Sequence, residues 1–277
     1  MPLFFQVLAS GSKGNAILAG TDSTCILLDA GLSGKEIERR LAESPVSPKD
    51  VQALVVSHEH NDHVRGIGVL SRRYDLPVFL TRGSLEALPS SVGELAHRNL
   101  IQPGRSFAIG DLIIHPFALS HDAADPVGFI LEHGGLRLGV CTDCGTATQL
   151  VRARLQHCHA LVLEANHDTD RLIHGPYPWH LKQRIRSRHG HLSNEDSCQL
   201  LEQIHHPGLQ VVVLAHLSEV NNHPDLVKET LRNRLVPAIL DTTRFEVAMQ
   251  NEPSAVWHIH TTGGDHGTVT EGLSPAH

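Results

Sequence analysis

The sequence predicts an α/β protein whose sheet is mixed, not wholly parallel. Two observations predict it. Apolar runs of strand length alternate with amphipathic stretches of helix length along the whole chain, without a short internal repeat. The early strands also follow one another across short turns such as Gly20-Thr21-Asp22-Ser23, and hairpins of that kind place antiparallel neighbours in the sheet.

The elements follow in order. Residues 3–9 form a loosely alternating strand that runs into the tight polar turn Ser10-Gly11-Ser12-Lys13-Gly14-Asn15. Strands at 16–19 and 25–29 form a hairpin, and Asp29 closes the second. Ser33 with Glu36 reads as a capping box for a helix to about residue 42, ended by Pro45 and Pro48. A buried strand over 51–56 is followed by a polar loop and a helix over 64–74. Strand-like alternation over 107–119 leads to His121, and a hairpin over 127–141 leads to Asp143. A helix over 146–155 and a buried strand over 160–164 follow, the strand ending at Glu164 with His167 just beyond. A basic helix over 179–188, a helix capped by Ser193, a strand over 209–215 ending at His216, and a helix opened by Pro224 complete the pattern.

A chain of 277 residues and 30.2 kDa can bury a sizeable core. Its 40% hydrophobic and 19% charged residues describe a globular protein, with no run long and apolar enough to span a bilayer and no visible signal peptide. Five cysteines in apolar or helical contexts point to a reducing cytoplasm over a disulfide framework. Cys141 and Cys144 form a Cys-x-x-Cys, but neither a thioredoxin-like unit nor a second pair accompanies them, so both read as structural thiols. A net charge of −7 argues against a broadly basic nucleic-acid binder. It excludes little more, because bound divalent ions add positive charge where it is needed.

The chemistry concentrates in Ser57-His58-Glu59-His60-Asn61-Asp62-His63. Side chains leaving a strand still roughly alternate, so one short loop can feed two metal positions, His58 and His60 to one and Asp62 and His63 to the other. Imidazole and carboxylate together suit zinc, and also manganese or iron. A polar loop with chance histidines is the plain alternative, and the 22 histidines of the chain make clustering easier. Chance does not readily place His-x-His-x-Asp-His directly after a buried strand. His121, Asp143 and His216 each follow an apolar run as His58 does. Taken singly, each would be a surface histidine or a turn aspartate.

This pattern resembles the signature of the metallo-β-lactamase superfamily. The resemblance implies an αβ/βα sandwich of two mixed β-sheets with helices outside, and a dinuclear centre at one edge. It implies His58, His60 and His121 on one metal, Asp62, His63 and His216 on the other, and Asp143 bridging. Asp29 would orient a metal-bound histidine. Three further pieces resemble the YycJ/WalJ-type exonucleases within that superfamily: Ser10 to Asn15, Leu163-Glu164-Ala165-Asn166-His167-Asp168, and Gly175 to Lys182 running into Gly190-His191-Leu192-Ser193-Asn194. His191 to Glu195 with Ala215 to Ser218 also looks like ribonuclease Z, in which the histidine at the helix start assists the leaving group.

The expected domain covers residues 1–250, with a C-terminal extension over 251–277 that is disordered from about 261. The expected function is a metal-dependent phosphodiesterase, foremost a DNA exonuclease that the resemblance makes 5′ to 3′ with a role in repair. Two divalent ions, Zn²⁺ or Mn²⁺ with Fe as a further candidate, would lower the pKa of a water between them and clamp a phosphate for in-line attack. Asp62 and His191 are the candidate catalytic groups, His191 as acid to the leaving oxygen. Glu164 and His167 could brace metal ligands or face substrate, and both roles stay open. Lys182, Arg184, Arg186 and Arg188 share one helix just after Tyr177 and Trp179, an arrangement that suits a DNA strand and is otherwise a solvated charged face. Ser12 and Asn15 would meet a phosphate through backbone N–H groups. The alternatives are a small-molecule or cyclic-nucleotide phosphodiesterase, and a lactone, thioester or β-lactam hydrolase.

Overall fold

The computed structural model describes residues 2–261. Its first half contributes β1 (Leu3–Ala9), β2 (Ala16–Gly20), β3 (Cys25–Leu28), α1 (Gly34–Ala42), β4 (Ala53–Val55), α2 (Asn61–Val64), α3 (Ile67–Tyr74), β5 (Pro77–Thr81), α4 (Arg82–Glu86) and β6 (His97–Ile101). The second half contributes β7 (Phe107–Ile109), β8 (Leu112–Ala118), β9 (Val127–His133), β10 (Leu136–Cys141), α5 (Gln149–Leu155), β11 (Ala160–Glu164), α6 (Thr169–His174), α7 (Trp179–Ile185), α8 (Asn194–Ile204), β12 (Val211–Ala215), α9 (Pro224–Arg234), α10 (Pro237–Thr242), β13 (Arg244–Val247) and β14 (Trp257–Ile259).

These strands make two seven-stranded sheets, ordered β14-β1-β2-β3-β4-β5-β6 and β13-β12-β11-β10-β9-β8-β7. Each sheet begins as antiparallel hairpins and continues as parallel crossovers, β3 to β6 in one and β10 to β13 in the other. The sheets are therefore mixed, as expected, and they stack face to face.

Strand alternation builds the layers. Leu3, Phe5 and Val7 of β1 share the central core with Ala160 and Val162 of β11 and with Val211 and Val213 of β12. The intervening Phe4 and Leu8 turn outward onto Ile37 and Leu41 of α1 and Leu70 of α3. Leu161, Leu163, Val212 and Leu214 turn outward onto Leu201 of α8 and Leu231 of α9. Strands covered on both faces read as continuous apolar runs, which is why β11 and β12 were legible.

Some boundaries differ from expectation. The run over 107–119 is a hairpin, not one strand, because Gly110 turns the chain at φ +55°, where a Cβ would sit 2.1 Å from Thr24 Oγ1. The helix over 64–74 is two pieces, α2 and α3. Residues beyond 250 also take part in the first sheet. Ser254 donates its N–H to the Val7 carbonyl, and β14 pairs antiparallel with β1, so residues to 259 complete the first sheet. The tail expected to be disordered lies, beyond residue 261, outside the described residues.

Candidate metal centre

Strand ends deliver the site. Three residues stand in the left-handed region directly after a strand or one residue on: Asp29 at φ 58°, Asp143 at φ 56° and His216 at φ 58°. Non-glycine residues in that region are uncommon, and aspartate tolerates it better than most. Each turn redirects a polar side chain across the sheet edge instead of along it. After β4 the chain bends at Ser57, runs extended at His60 and enters α2, whose first turn carries Asp62 and His63. The helix swings this next pair elsewhere. The loop after β3 packs directly under this helix: a Cβ on Gly31 would sit 1.6 Å from the Asp62 carbonyl oxygen, so only glycine fits.

Every ligand residue expected from sequence is brought together. His58, His60 and His121 offer nitrogens within 4.8 Å of one another, and Asp62, His63 and His216 make a second such group. Asp143 lies between them, with Oδ2 3.2 Å from His63 Nε2 and Oδ1 3.7 Å from His121 Nε2. The imidazoles are held from behind through Nδ1. His63 Nδ1 meets Asp29 Oδ2 at 2.8 Å, His58 Nδ1 meets Ser57 Oγ at 3.0 Å, His121 Nδ1 meets the Gly190 carbonyl at 3.1 Å, and His216 Nδ1 meets Glu164 Oε1 at 2.9 Å. Those bonds leave each Nε2 facing inward.

The Nε2 atoms of His58, His121 and His216, with Asp143 Oδ2, are buried and make no hydrogen bond. Buried polar atoms are ordinarily satisfied, so four orphans on one centre fit a cation that takes their lone pairs. The donors are nitrogen and oxygen with no thiolate, a set that suits Zn²⁺, Mn²⁺ or Fe. A further grouping, Asp143 with Glu164, His191 and His216, is better read as a hydrogen-bond hub. Glu164 already accepts from both imidazoles and from the backbone N–H groups of Asp143, Cys144 and Leu192.

The electrostatics agree. Burial, then the neighbouring His63, drives His58 well below its ordinary value, and burial lowers His121 as well. Burial also opposes charge on His216, but Asp143, Asp62 and Glu164 outweigh it and push that imidazole up to about 10. His63 is raised well above normal because Asp143, Asp29 and Asp62 overcome its burial. In the chain alone, the surrounding carboxylates favour protonated rings at His63 and His216, the positive charge that divalent cations would bring instead.

His191 stands outside both groups. Its Nδ1 bonds Glu164 Oε1 at 2.8 Å, and it lines the cavity of about 230 Å³ that opens over the centre. Burial works against its protonation, but Glu164 and Asp143 prevail and raise its pKa. Ser12, Asp62, Tyr177 and Arg184 line the same cavity.

Other expected residues do not face it. Asn15 is a brace: its Oδ1 accepts the Gly11 N–H, and its Nδ2 reaches the Asp62 carbonyl and carboxylate and lies 3.1 Å from His63 Nε2. Lys182 is buried, and its ammonium donates to the Ile173 and Gly175 carbonyls at 2.7 Å each, closing the turn before α7. Burying the aliphatic stem and satisfying the head on carbonyls cost this lysine its expected substrate contact. Trp179 is 60% exposed and outside the cavity lining. His167 is buried with Nδ1 unpaired, and makes no hydrogen bond to the cluster. Arg184 does line the cavity but is held by Asp122 at 2.5 Å.

Sequence reasoning missed three contributors. Ser57 donates to Asp29 and touches His58, the Gly190 carbonyl orients His121, and Asp122 sits 3.3 Å from His121 Nε2. Only Asp122 carried a signal, a carboxylate next to a candidate ligand. Cys141 and Cys144 are fully buried in the core beneath, as structural thiols should be.

Residues 24–217 match the model of the β-lactamase superfamily domain. The exodeoxyribonuclease YycJ of Bacillus anthracis is 37% identical over 82% of this chain and 87% of its own length. The exodeoxyribonuclease WalJ of Streptococcus pneumoniae is 35% identical over 85% of this chain and 89% of its own. Among solved structures, the metallo-β-lactamase fold protein YhfI from Bacillus subtilis superposes with a TM-score of 0.72 at 17% identity, covering 93% of this chain and 99% of that one.

Proposed function

The chain belongs to the β-lactamase superfamily, in the family of the exodeoxyribonucleases YycJ and WalJ, and on that premise we propose that it is a two-metal DNA exonuclease. The observation that carries this is the pair of three-residue groups joined by Asp143, with His191 facing the same cavity from outside them. Two divalent ions, Zn²⁺ or Mn²⁺ with Fe as a further candidate, would be held by His58, His60 and His121 and by Asp62, His63 and His216, with Asp143 shared. Such ions supply Lewis acidity and an activated water at neutral pH.

The chain's own residues do the rest. Asp62, at the cavity wall, orients the attacking water by accepting its hydrogen bond. Glu164 holds His191 through Nδ1, so Nε2 is turned to the leaving oxygen and delivers its proton there. Asp29, Ser57 and Glu164 keep the imidazoles in one tautomer and one orientation. Tyr177 stands where a terminal base can stack. An acid aimed at an alkoxide leaving group favours a phosphodiester over a lactone or β-lactam.

The test compares end-labelled DNA with bis(p-nitrophenyl) phosphate, with added metals varied. Both substrates should be cleaved, both activities should vanish with chelator and return with Mn²⁺ or Zn²⁺, and the label should report 5′ to 3′ digestion. Elemental analysis of protein purified without chelator should find two ions per chain. Activity on β-lactams or lactones without any on DNA would overturn the proposal, and one ion or none would overturn the dinuclear assignment.

A further inference from the structure

The basic helix does not present its cations together. Lys182 is turned inward and Arg184 is held by Asp122. Arg186 and Arg188 go elsewhere: with Arg152 of α5 they line a second cavity, of about 270 Å³, floored by Leu192 and Leu200. All three arginines are exposed, and among the described residues their guanidinium groups carry no hydrogen bond or ion pair. Asp196 also lines this cavity, but its Oδ2 takes both the N–H and the O–H of Ser193 in the capping box of α8.

The segment 188–190 borders both cavities, with Arg188 lining the second and Gly190 the first. The Arg188 carbonyl accepts from Ser120 Oγ at 2.7 Å, and two residues on the Gly190 carbonyl accepts from His121 at 3.1 Å. One face of this short segment thus braces the candidate centre, and the other carries an arginine of the second cavity. Three exposed guanidinium groups, one from α5 and two from the segment just after α7, outnumber the single Asp196 carboxylate and leave the cavity positively charged. A guanidinium fork matches the paired oxygens of a phosphate or a carboxylate, and beside a nuclease centre the anion at hand is the phosphate of the strand.

We propose that this arginine cavity binds a backbone phosphate of the nucleic-acid strand, at a nucleotide other than the one being cut. The proposal rests on the nuclease reading of the neighbouring centre. It accounts for the recruitment of Arg152, far away in sequence, to the side of Arg186 and Arg188.

The test is Arg152→Ala beside Arg152→Lys, with single-stranded DNA and bis(p-nitrophenyl) phosphate as substrates and salt varied. The small diester has no second phosphate. Arg152→Ala should lower kcat/KM on the strand roughly 10-fold, through KM, as expected for one charged hydrogen bond. It should flatten the log–log salt dependence by about 0.7, the share of one single-strand phosphate. Turnover of the small diester should stay within about two-fold, because only an interaction outside its reach is lost. Arg152→Lys should recover part of the strand activity, and adding Arg188→Ala to Arg152→Ala should deepen the loss on strands. Wild-type DNA kinetics and salt slope in Arg152→Ala would overturn this site and leave the nuclease reading standing. An equal loss on both substrates would also overturn it, since the substitution would then act on the centre or the fold. A native protein that cleaves the small diester but no strand would overturn the nuclease reading and this site with it.

Discussion

The two halves of the molecule share one topology and use it differently. In each, antiparallel hairpin strands lead to a strand that begins a parallel run, β3 in the first sheet and β10 in the second. Each of these strands is followed by an aspartate in the left-handed region, Asp29 at φ 58° and Asp143 at φ 56°. The equivalence stops at the side chains. Asp29 faces back into its own half, where it accepts the N–H and hydroxyl of Ser57 and holds His63. Asp143 faces out, with Oδ2 buried between the two groups of candidate ligands, 3.2 Å from His63 Nε2 and without a hydrogen bond. The bracing carboxylate of the second half is Glu164 on the next strand, which accepts the N–H of Asp143 itself. Moving the brace by one strand frees the second aspartate for the centre. The same backbone turn therefore serves orientation in one half and the proposed cation site in the other, and the neighbour that satisfies the carboxylate decides which.

That contrast can be broken most directly at Asp143. Asp143→Ala should lower activity on any phosphodiester by roughly 10³-fold or more, because electrostatic stabilisation is usually the largest single contribution to catalysis. Metal content per chain should fall with it. A variant that keeps two ions would show that Asp143 is no bridge. His191→Ala should keep the metals and the fold yet cost roughly 10²–10⁴-fold in kcat on DNA, the usual worth of one acid–base group. The loss should shrink on bis(p-nitrophenyl) phosphate, whose leaving group needs no proton. An equal loss on both substrates would make His191 a phosphate-positioning group, and a loss of metal would make it a ligand.

Asp29→Ala tests the other side of the comparison. It should cost roughly 10–100-fold in activity or metal affinity, as removal of a carboxylate behind a ligating histidine typically does. If it matched Asp143→Ala, the two aspartates would not differ in role as their partners imply. The smallest effect concerns His167, just past the strand that carries Glu164. Burial depresses its imidazole to about 4, below an ordinary value of about 6.5. The unfolded chain therefore binds the extra proton between those values. Stability is fully present above pH 6.5 and drains away as pH falls towards 4, by roughly 3 kcal/mol at most. Urea titrations of the metal-loaded protein across that range should show the decline, and His167→Gln should flatten it. A decline of equal size in His167→Gln would assign the acid sensitivity to other groups.

The sequence alone determined strands such as β11 and β12, which are apolar on both faces, and the early hairpin, which carries its turn locally, but not the break of the 107–119 run at Gly110. It also determined the candidate ligands, since His58, His60, Asp62 and His63 sit close in the chain and His121, Asp143 and His216 each end an apolar run. Only the tertiary structure decided which polar residues face the cavity. Nothing local marks Lys182 as a buried brace or Asn15 as a tie between loops, because their partners are carbonyls and carboxylates brought by other segments. Ser57 and the Gly190 carbonyl became part of the site in the same way, as did β14, whose pairing with β1 closes a span of some 250 residues. Periodicity and spacing act along the chain and can be read from it. Hydrogen-bond satisfaction and charge pairing act across it, and they are settled only once the two sheets have stacked.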